Sequence, residues 1–192
     1  MARSLVPAIF MDRDGVLIEN QSDYVKTWSE VEVYSTALQA LADISFSQYK
    51  IVVVTNQAAV AKGLTTLDEV NRIHRHLRSV VESAGGRIDA FYVCPHQPED
   101  GCECRKPKPG MLFRASREMD IDLAQSIMIG DALSDLQAGK AAGVKTRILL
   151  MSGRGKEQIA LPQMETLKPF LVFNDLKQAC AVIVTRLNEA RI

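Results

Sequence analysis

Short runs of branched and apolar residues alternate along this chain with longer stretches whose apolar positions recur at helical spacing. The first pattern belongs to strands buried on both faces, the second to helices with one apolar stripe. Residues 8–11 (Ala-Ile-Phe-Met), 51–54 (Ile-Val-Val-Val), 88–93, 127–129 and 146–150 are predicted strands, with a sixth at 171–173. Between them, Leu38, Leu41 and Ile44 place a helix at 37–44, while Val70, Ile73, Leu77, Val80 and Ala84 draw a stripe on a second. Thr66 stands three residues before Glu69, the spacing of a capping box at the start of that second helix. Pro109 is placed to open a helix through about Met119, residues 135–142 form a short one stopped by Gly143, and Asn174 caps a last one through about Arg191. This alternation predicts a doubly wound α/β fold, a mainly parallel sheet with helices on both faces. Residues 19–28, 94–108 and 151–168 exceed ordinary connection lengths, which makes them candidate substrate loops.

Composition narrows the functional classes. With 192 residues, 47% of them apolar, a core can form without disulfides, and one domain over residues 1–192 is expected. Lys and Arg number 23 against 23 Asp and Glu, so the broad positive footprint of a nucleic-acid or anionic-membrane binder is missing. The longest apolar run is six residues, 179–184, far below the roughly 18 of a membrane span. The first residues carry one Arg but no apolar signal segment, so the cytoplasm is the expected compartment and a monomer the default state. Three of the four cysteines crowd into residues 94–104, and in a reducing compartment such crowding favours a metal over disulfides.

Ligands of open α/β sheets bind beyond the carboxyl ends of the strands. There the chain reads Asp12-Arg13-Asp14-Gly15-Val16 after the first strand, Thr55-Asn56-Gln57 after the second and Gly130-Asp131, with Asp135 following, after the fourth. An Asp in such a place often only caps a helix or forms a turn. An EF-hand calcium loop is excluded because Gly15 comes at the fourth position, where that loop needs glycine at the sixth. Several carboxylates gathered in one cleft repel one another unless a hard cation sits among them, and oxygen ligands suit Mg²⁺. Magnesium pairs naturally with phosphate. A carboxylate such as Asp12 can attack phosphorus once the phosphate charge is offset by metal, Lys106 and Thr55. Asp14, two residues on, is placed to protonate the leaving oxygen and then to activate water.

Cys94 and His96, then Cys102 and Cys104, offer three thiolates and an imidazole, a tetrahedral Zn²⁺ set. With all four positions filled by protein, such a site is structural, and it would fix the Arg105-Lys106 pair that follows.

The three strand-end motifs and Lys106 resemble the four motifs of the haloacid dehalogenase (HAD) superfamily of phosphatases, over about residues 7–150. The resemblance implies Asp12 as nucleophile, Asp14 as general acid/base, Thr55 and Lys106 as phosphate holders, and Asp135 as a supporting acid. It also implies Asp12, Asp131 and the Asp14 backbone carbonyl as Mg²⁺ ligands, and the chain shows no large inserted cap domain. Cys-Pro-His…Cys-x-Cys-Arg-Lys-Pro is similar to the zinc-containing branch that holds D-glycero-D-manno-heptose 1,7-bisphosphate phosphatases and histidinol-phosphate phosphatases. Within that branch Thr55-Asn56-Gln57, Ala61-Lys62-Gly63 and residues 106–112 look more like the heptose enzymes, implying removal of the C7 phosphate in activated-heptose synthesis for surface glycans such as lipopolysaccharide. Asn56, Gln57 and Arg105 are the expected substrate contacts, Arg105 because a guanidinium fork suits phosphate or sugar hydroxyls.

Other residues point elsewhere. His74 and His76 are expected on a solvated helix face, Ser152 to Lys156 as a flexible rim loop with minor substrate contact as the alternative, and Cys180 as a small core residue. Trp28 is placed either to line the site or to anchor its loop.

Overall fold

In a computed structural model, which describes residues 5–189, β1 (Ala8–Met11), α1 (Ser35–Asp43), β2 (Lys50–Asn56), α2 (Leu67–Ser83) and β3 (Ala90–Cys94) form the first half. The second half holds α3 (Gly110–Met119), β4 (Ile127–Gly130), α4 (Leu133–Ala141), β5 (Thr146–Leu150), α5 (Gly155–Gln158), β6 (Leu171–Phe173) and α6 (Leu176–Glu189). All six strands pair in parallel in the order β3-β2-β1-β4-β5-β6. Alternate strand residues face opposite sides. Ile9, Met11, Ile51, Val53, Ile127 and Ile129 pack under α1, α2 and α6, whereas Ala8, Phe10, Val52, Val54 and Met128 pack under α3 and α4. Truncating a central residue such as Ile9 to Ala would cost about 2–5 kcal/mol.

The six expected strands are present, and the departures have local causes. On α2 the inner stripe runs Val70, Ile73, His74, Leu77 and Val81, while Ala84 is exposed, because the helix turns 3.6 residues per turn and carries Val81 inward. Thr66 accepts from the Glu69 amide at 3.1 Å, but the Glu69 carboxylate pairs with Arg72 instead of closing the box. Asp175, not Asn174, caps α6, accepting from the Gln178 amide at 2.9 Å. The expected end of that helix at Arg191 lies outside the described residues. Among the described residues no helix is long and apolar enough to cross a membrane.

Candidate active site

Strand order switches between β1 and β4, so their carboxyl ends border a crevice. The Asp12 amide still donates to the Ile129 carbonyl at 3.0 Å, which locks Asp12 to the sheet just beyond β1. Asp131 stands just beyond β4, and Asp135 in the first turn of α4 accepts from the Ala132 amide at 3.1 Å. One oxygen from each of these three carboxylates lies within 4.8 Å of the others. Lys106 Nζ reaches into them, 3.0 Å from Asp12 Oδ1 and 2.7 Å from Asp135 Oδ1, and donates to the Val54 carbonyl at 2.8 Å. Burial pushes the Asp12 carboxyl up to about 6 against the pull of Lys106, and burial also raises Asp131 and Asp135. Burial alone would lower Lys106, but the charges of Asp12 and Asp135 outweigh it and hold the ammonium above its usual range.

Asp131 shows what is missing from this balance of charge. Its Oδ2 accepts from Asn20 Nδ2 and from the Arg154 amide, both at 2.8 Å. Its Oδ1 is buried and has no hydrogen-bond partner. An unpartnered buried carboxylate oxygen is costly, and a hard cation beside Asp12 and Asp131 would satisfy it. The all-oxygen donor set therefore fits Mg²⁺.

Two glycines make this packing possible. Gly15 has φ +78° and Gly153 φ +53°, and a Cβ on either would run into the Asp131 carboxylate. Ser152 Oγ donates to the Gly15 carbonyl at 2.7 Å, so residues 152–154 are docked on the carboxylates. This corrects the expectation of a flexible rim loop: hydrogen bonds to Gly15 and Asp131 fix it, and the Arg154 side chain lines the crevice.

Asp14 points away from the other carboxylates into a clamp of donors. Arg13 Nη2 donates to its Oδ1 at 2.9 Å and Arg13 Nε to its Oδ2 at 3.2 Å. Gln57 Nε2 donates to the same Oδ2 at 2.9 Å and to Thr55 Oγ1 at 2.8 Å, and Thr55 Oγ1 stands 3.4 Å from that Oδ2. Burial works against ionisation of Asp14, but Arg13 and Gln57 outweigh it and hold its carboxyl below the usual range. Behind this pair His74 Nε2 lies 3.3 Å from Arg13 Nη1. His74 is thus not on a solvated face. It belongs to the buried stripe of α2, where burial first and the Arg13 charge second drive its imidazole down to about 3. His76 keeps to the outer side and packs on Trp28, which anchors its loop against the core and does not line the crevice.

The Cys/His set gathers beyond β3. Cys94 Sγ lies 3.6 Å from Cys102 Sγ and 3.7 Å from His96 Nδ1, Cys104 Sγ lies 3.5 Å from Cys102 Sγ, and His96 Nδ1 lies 3.3 Å from Cys104 Sγ. Tetrahedral Zn²⁺ with Zn–S near 2.3 Å requires ligand separations of about 3.8 Å, so these four atoms nearly describe the shell. Burial pushes the Cys94 thiol up to about 12, whereas hydrogen bonds from its neighbours outweigh burial at Cys102 and bring it down to about 7. A dication would draw all three sulfurs to the thiolate. Arg105 Nη1 donates to the His96 carbonyl at 2.9 Å, and the Asn56 amide bonds the Lys106 backbone both ways, at 3.0 and 3.1 Å. The loop therefore delivers Lys106 to the carboxylates.

A cavity of about 830 Å³ lies over the site, and Asp12, Asp14, Asn56, Gln57, Arg105 and Lys106 all line it. Asn56 and Gln57 spend much of their hydrogen-bonding capacity within the protein, while Thr55 stands fully buried behind Asp14. Sequence reasoning missed Asn20, Arg154, His74 and the part played by Arg13. Arg154 follows β5, so reading the residues after that strand as closely as the others would have found it, and His74 shares the α2 stripe. Asn20 lies in the 19–28 segment that its length marked as a candidate substrate loop, though nothing singled out the residue itself.

Residues 103–179 match a family model described as HAD-hydrolase-like. The D-glycero-β-D-manno-heptose-1,7-bisphosphate 7-phosphatase of Pseudomonas aeruginosa is 34% identical over 96% of this chain and 99% of its own. The enzyme of that name from Bordetella bronchiseptica is 39% identical over 79% of this chain and 84% of its own. A crystal structure of D,D-heptose 1,7-bisphosphate phosphatase from B. bronchiseptica, complexed with magnesium and phosphate, superposes with a TM-score of 0.86 at 34% identity, covering 94% of this chain and 99% of that one. Read with the carboxylate crevice and the Cys/His loop, these relatives establish that the chain belongs to the family of D-glycero-β-D-manno-heptose-1,7-bisphosphate 7-phosphatases, among the HAD-like hydrolases.

Proposed function

We propose that the protein is a Mg²⁺-dependent phosphomonoester hydrolase that removes the C7 phosphate of a heptose 1,7-bisphosphate through an aspartyl-phosphate. The observation that carries this reading is the group of Asp12, Asp131 and Asp135 around the Lys106 ammonium, with one Asp131 oxygen buried and unpartnered. Asp12, Asp131 and the Asp14 carbonyl would hold magnesium, with Asp135 behind them. Bound there, the ion neutralises phosphate charge as a Lewis acid.

Asp12 Oδ1 is engaged by the Arg13 amide at 2.7 Å and by Lys106, which leaves Oδ2 to attack phosphorus. The new O–P bond forms as the bond to the sugar oxygen breaks, and Asp14 gives that oxygen a proton. Because Arg13 and Gln57 favour the ionised Asp14, this proton enters with the singly ionised phosphate of the substrate and passes through Asp14. In the second step Asp14 takes a proton from water, whose oxygen attacks phosphorus and releases orthophosphate from Asp12. Thr55 supports Asp14, while Asn56, Gln57 and Arg105 meet the sugar side of the cavity. Zn²⁺ on Cys94, His96, Cys102 and Cys104 is structural. The four unpaired cysteines support a reducing cytoplasm, and the zero net charge supports a small metabolite as substrate, not nucleic acid, with a monomer as the default state.

The test is kcat/KM, with magnesium, for both anomers of heptose 1,7-bisphosphate beside histidinol phosphate, with Asp12→Asn as the blank. A preference for a heptose of about 100-fold, near 2.7 kcal/mol, is expected. A preference for histidinol phosphate would overturn the substrate while keeping the chemistry, and an inert wild type would overturn both.

A further inference from the structure

We propose that His74 is a positioning residue for hydrolysis: through Arg13 it fixes the carboxylate of Asp14 on the leaving oxygen. The inference rests on the reading of Asp14 as general acid/base.

Arg13 is fully buried, and its guanidinium divides its donors between two partners. Nη2 and Nε take the two oxygens of Asp14, while Nη1 turns away from the crevice toward His74 Nε2 at 3.3 Å. A guanidinium has no acceptor, so His74 Nε2 accepts and its proton resides on Nδ1. The imidazole cannot drift from this geometry. It stacks on Phe91 with ring centroids 4.3 Å apart and 10° between planes, and Arg78 lies 5.4 Å from the Phe91 ring centroid. The line from Phe91 through His74 and Arg13 to Asp14 thus joins β3 and α2 to the crevice.

His74 is also an expensive choice for its position. Its Nδ1 is buried without a partner, on a helix stripe otherwise made of Val70, Ile73, Leu77 and Val81. An apolar residue there would leave no bare donor. What the imidazole supplies is a neutral acceptor that holds one end of Arg13 without competing for its charge, so the fork stays aimed at Asp14. Without it, Nη1 must find another acceptor, and the guanidinium rotates away from Asp14.

The test separates positioning from packing. An alkoxide leaves with difficulty unless it is protonated, whereas nitrophenolate leaves as a stable anion, so loss of an aligned general acid falls mainly on alkyl phosphates. With magnesium and zinc supplied, kcat/KM is measured on heptose 1,7-bisphosphate and on p-nitrophenyl phosphate for wild type, Asp14→Asn, His74→Phe and His74→Gln. Phe keeps the ring on Phe91 but removes the acceptor, and Gln places an oxygen where Nε2 stands. The expected result is a loss in His74→Phe at least about tenfold greater on the alkyl than on the aryl ester, the same sense in Asp14→Asn, and recovery in His74→Gln to within about threefold of wild type. If His74→Phe does not fold, His74→Asn, whose amide falls short of Arg13, takes its place. Equal losses on both esters, with Asp14→Asn still discriminating, would overturn the inference and leave the enzyme reading intact. If Asp14→Asn itself fails to discriminate, the general-acid role falls and the inference with it.

Discussion

Asp12 and Asp131 lie far apart in sequence and meet because β1 and β4 are hydrogen-bonded neighbours, whereas Cys94, His96, Cys102 and Cys104 gather within one loop. The carboxylates are buried at the ends of fully buried strands, held by the Ile129 carbonyl, the Ala132 amide and Lys106. Three of the four zinc-type ligands are only half-buried, and few apolar side chains support their loop. The first site is preorganised by the sheet and suits an ion that comes and goes with phosphate. The second would take its order from a bound Zn²⁺, since metal binding there would replace the core the loop lacks. Loss of metal should therefore affect the two sites differently.

The largest expected effect tests the preorganised side. Asp12→Asn should lower kcat/KM by about four orders of magnitude or more, with circular dichroism and the unfolding midpoint unchanged. A variant retaining a tenth of the activity would remove Asp12 as nucleophile. The direct contrast of the two metals comes next. Removing magnesium should abolish turnover reversibly with a small shift in Tm. Extracting zinc, or Cys102→Ser, should lower Tm by several degrees, at about 2–4 °C per kcal/mol for a chain of this size, and reduce activity about 10–100-fold through Arg105 and Lys106. Equal Tm shifts for the two metals would dissolve the distinction. Gly153→Ala is a smaller intervention, since its Cβ would meet Asp131 at positive φ. Strain of about 1–3 kcal/mol should appear as roughly tenfold weaker magnesium binding, with zinc content untouched.

A pH-dependent effect concerns the buried support of Asp14. His74 is held near 3 in the folded protein against 6.5 unfolded, so it binds fewer protons folded than unfolded between those values. Its contribution is fully present above about pH 6.5 and is lost as pH falls toward 3, with a slope of at most about 1.4 kcal/mol per pH unit. Unfolding by denaturant from pH 7 to 4 should show a steeper fall for wild type than for His74→Phe, and parallel curves would place His74 in water.

Legibility followed the same division. The grouping of Cys94, His96, Cys102 and Cys104 was readable because they are near neighbours in the chain, and the strand-end acids were readable because Asp12, Asp131 and Asp135 each follow a buried strand. His74 was misassigned because its partner Arg13 lies on another element, although its place on the α2 stripe was visible. Arg154 follows a strand as the acids do, but its meeting with Asp131 depends on a loop docked on Gly15, and Asn20 reaches Asp131 from a different loop.

By itself the sequence determined the strand and helix alternation, the parallel sheet, the acidic strand ends and the Cys/His cluster, since all of these are carried by periodicity or by neighbours in the chain. Only the tertiary structure decided that Asp14 turns into a clamp of Arg13, Gln57 and Thr55 while Asp131 keeps a bare oxygen beside Asp12. The reason is physical: a buried carboxylate takes its orientation and ionisation from the donors around it, and folding alone brings those donors to it.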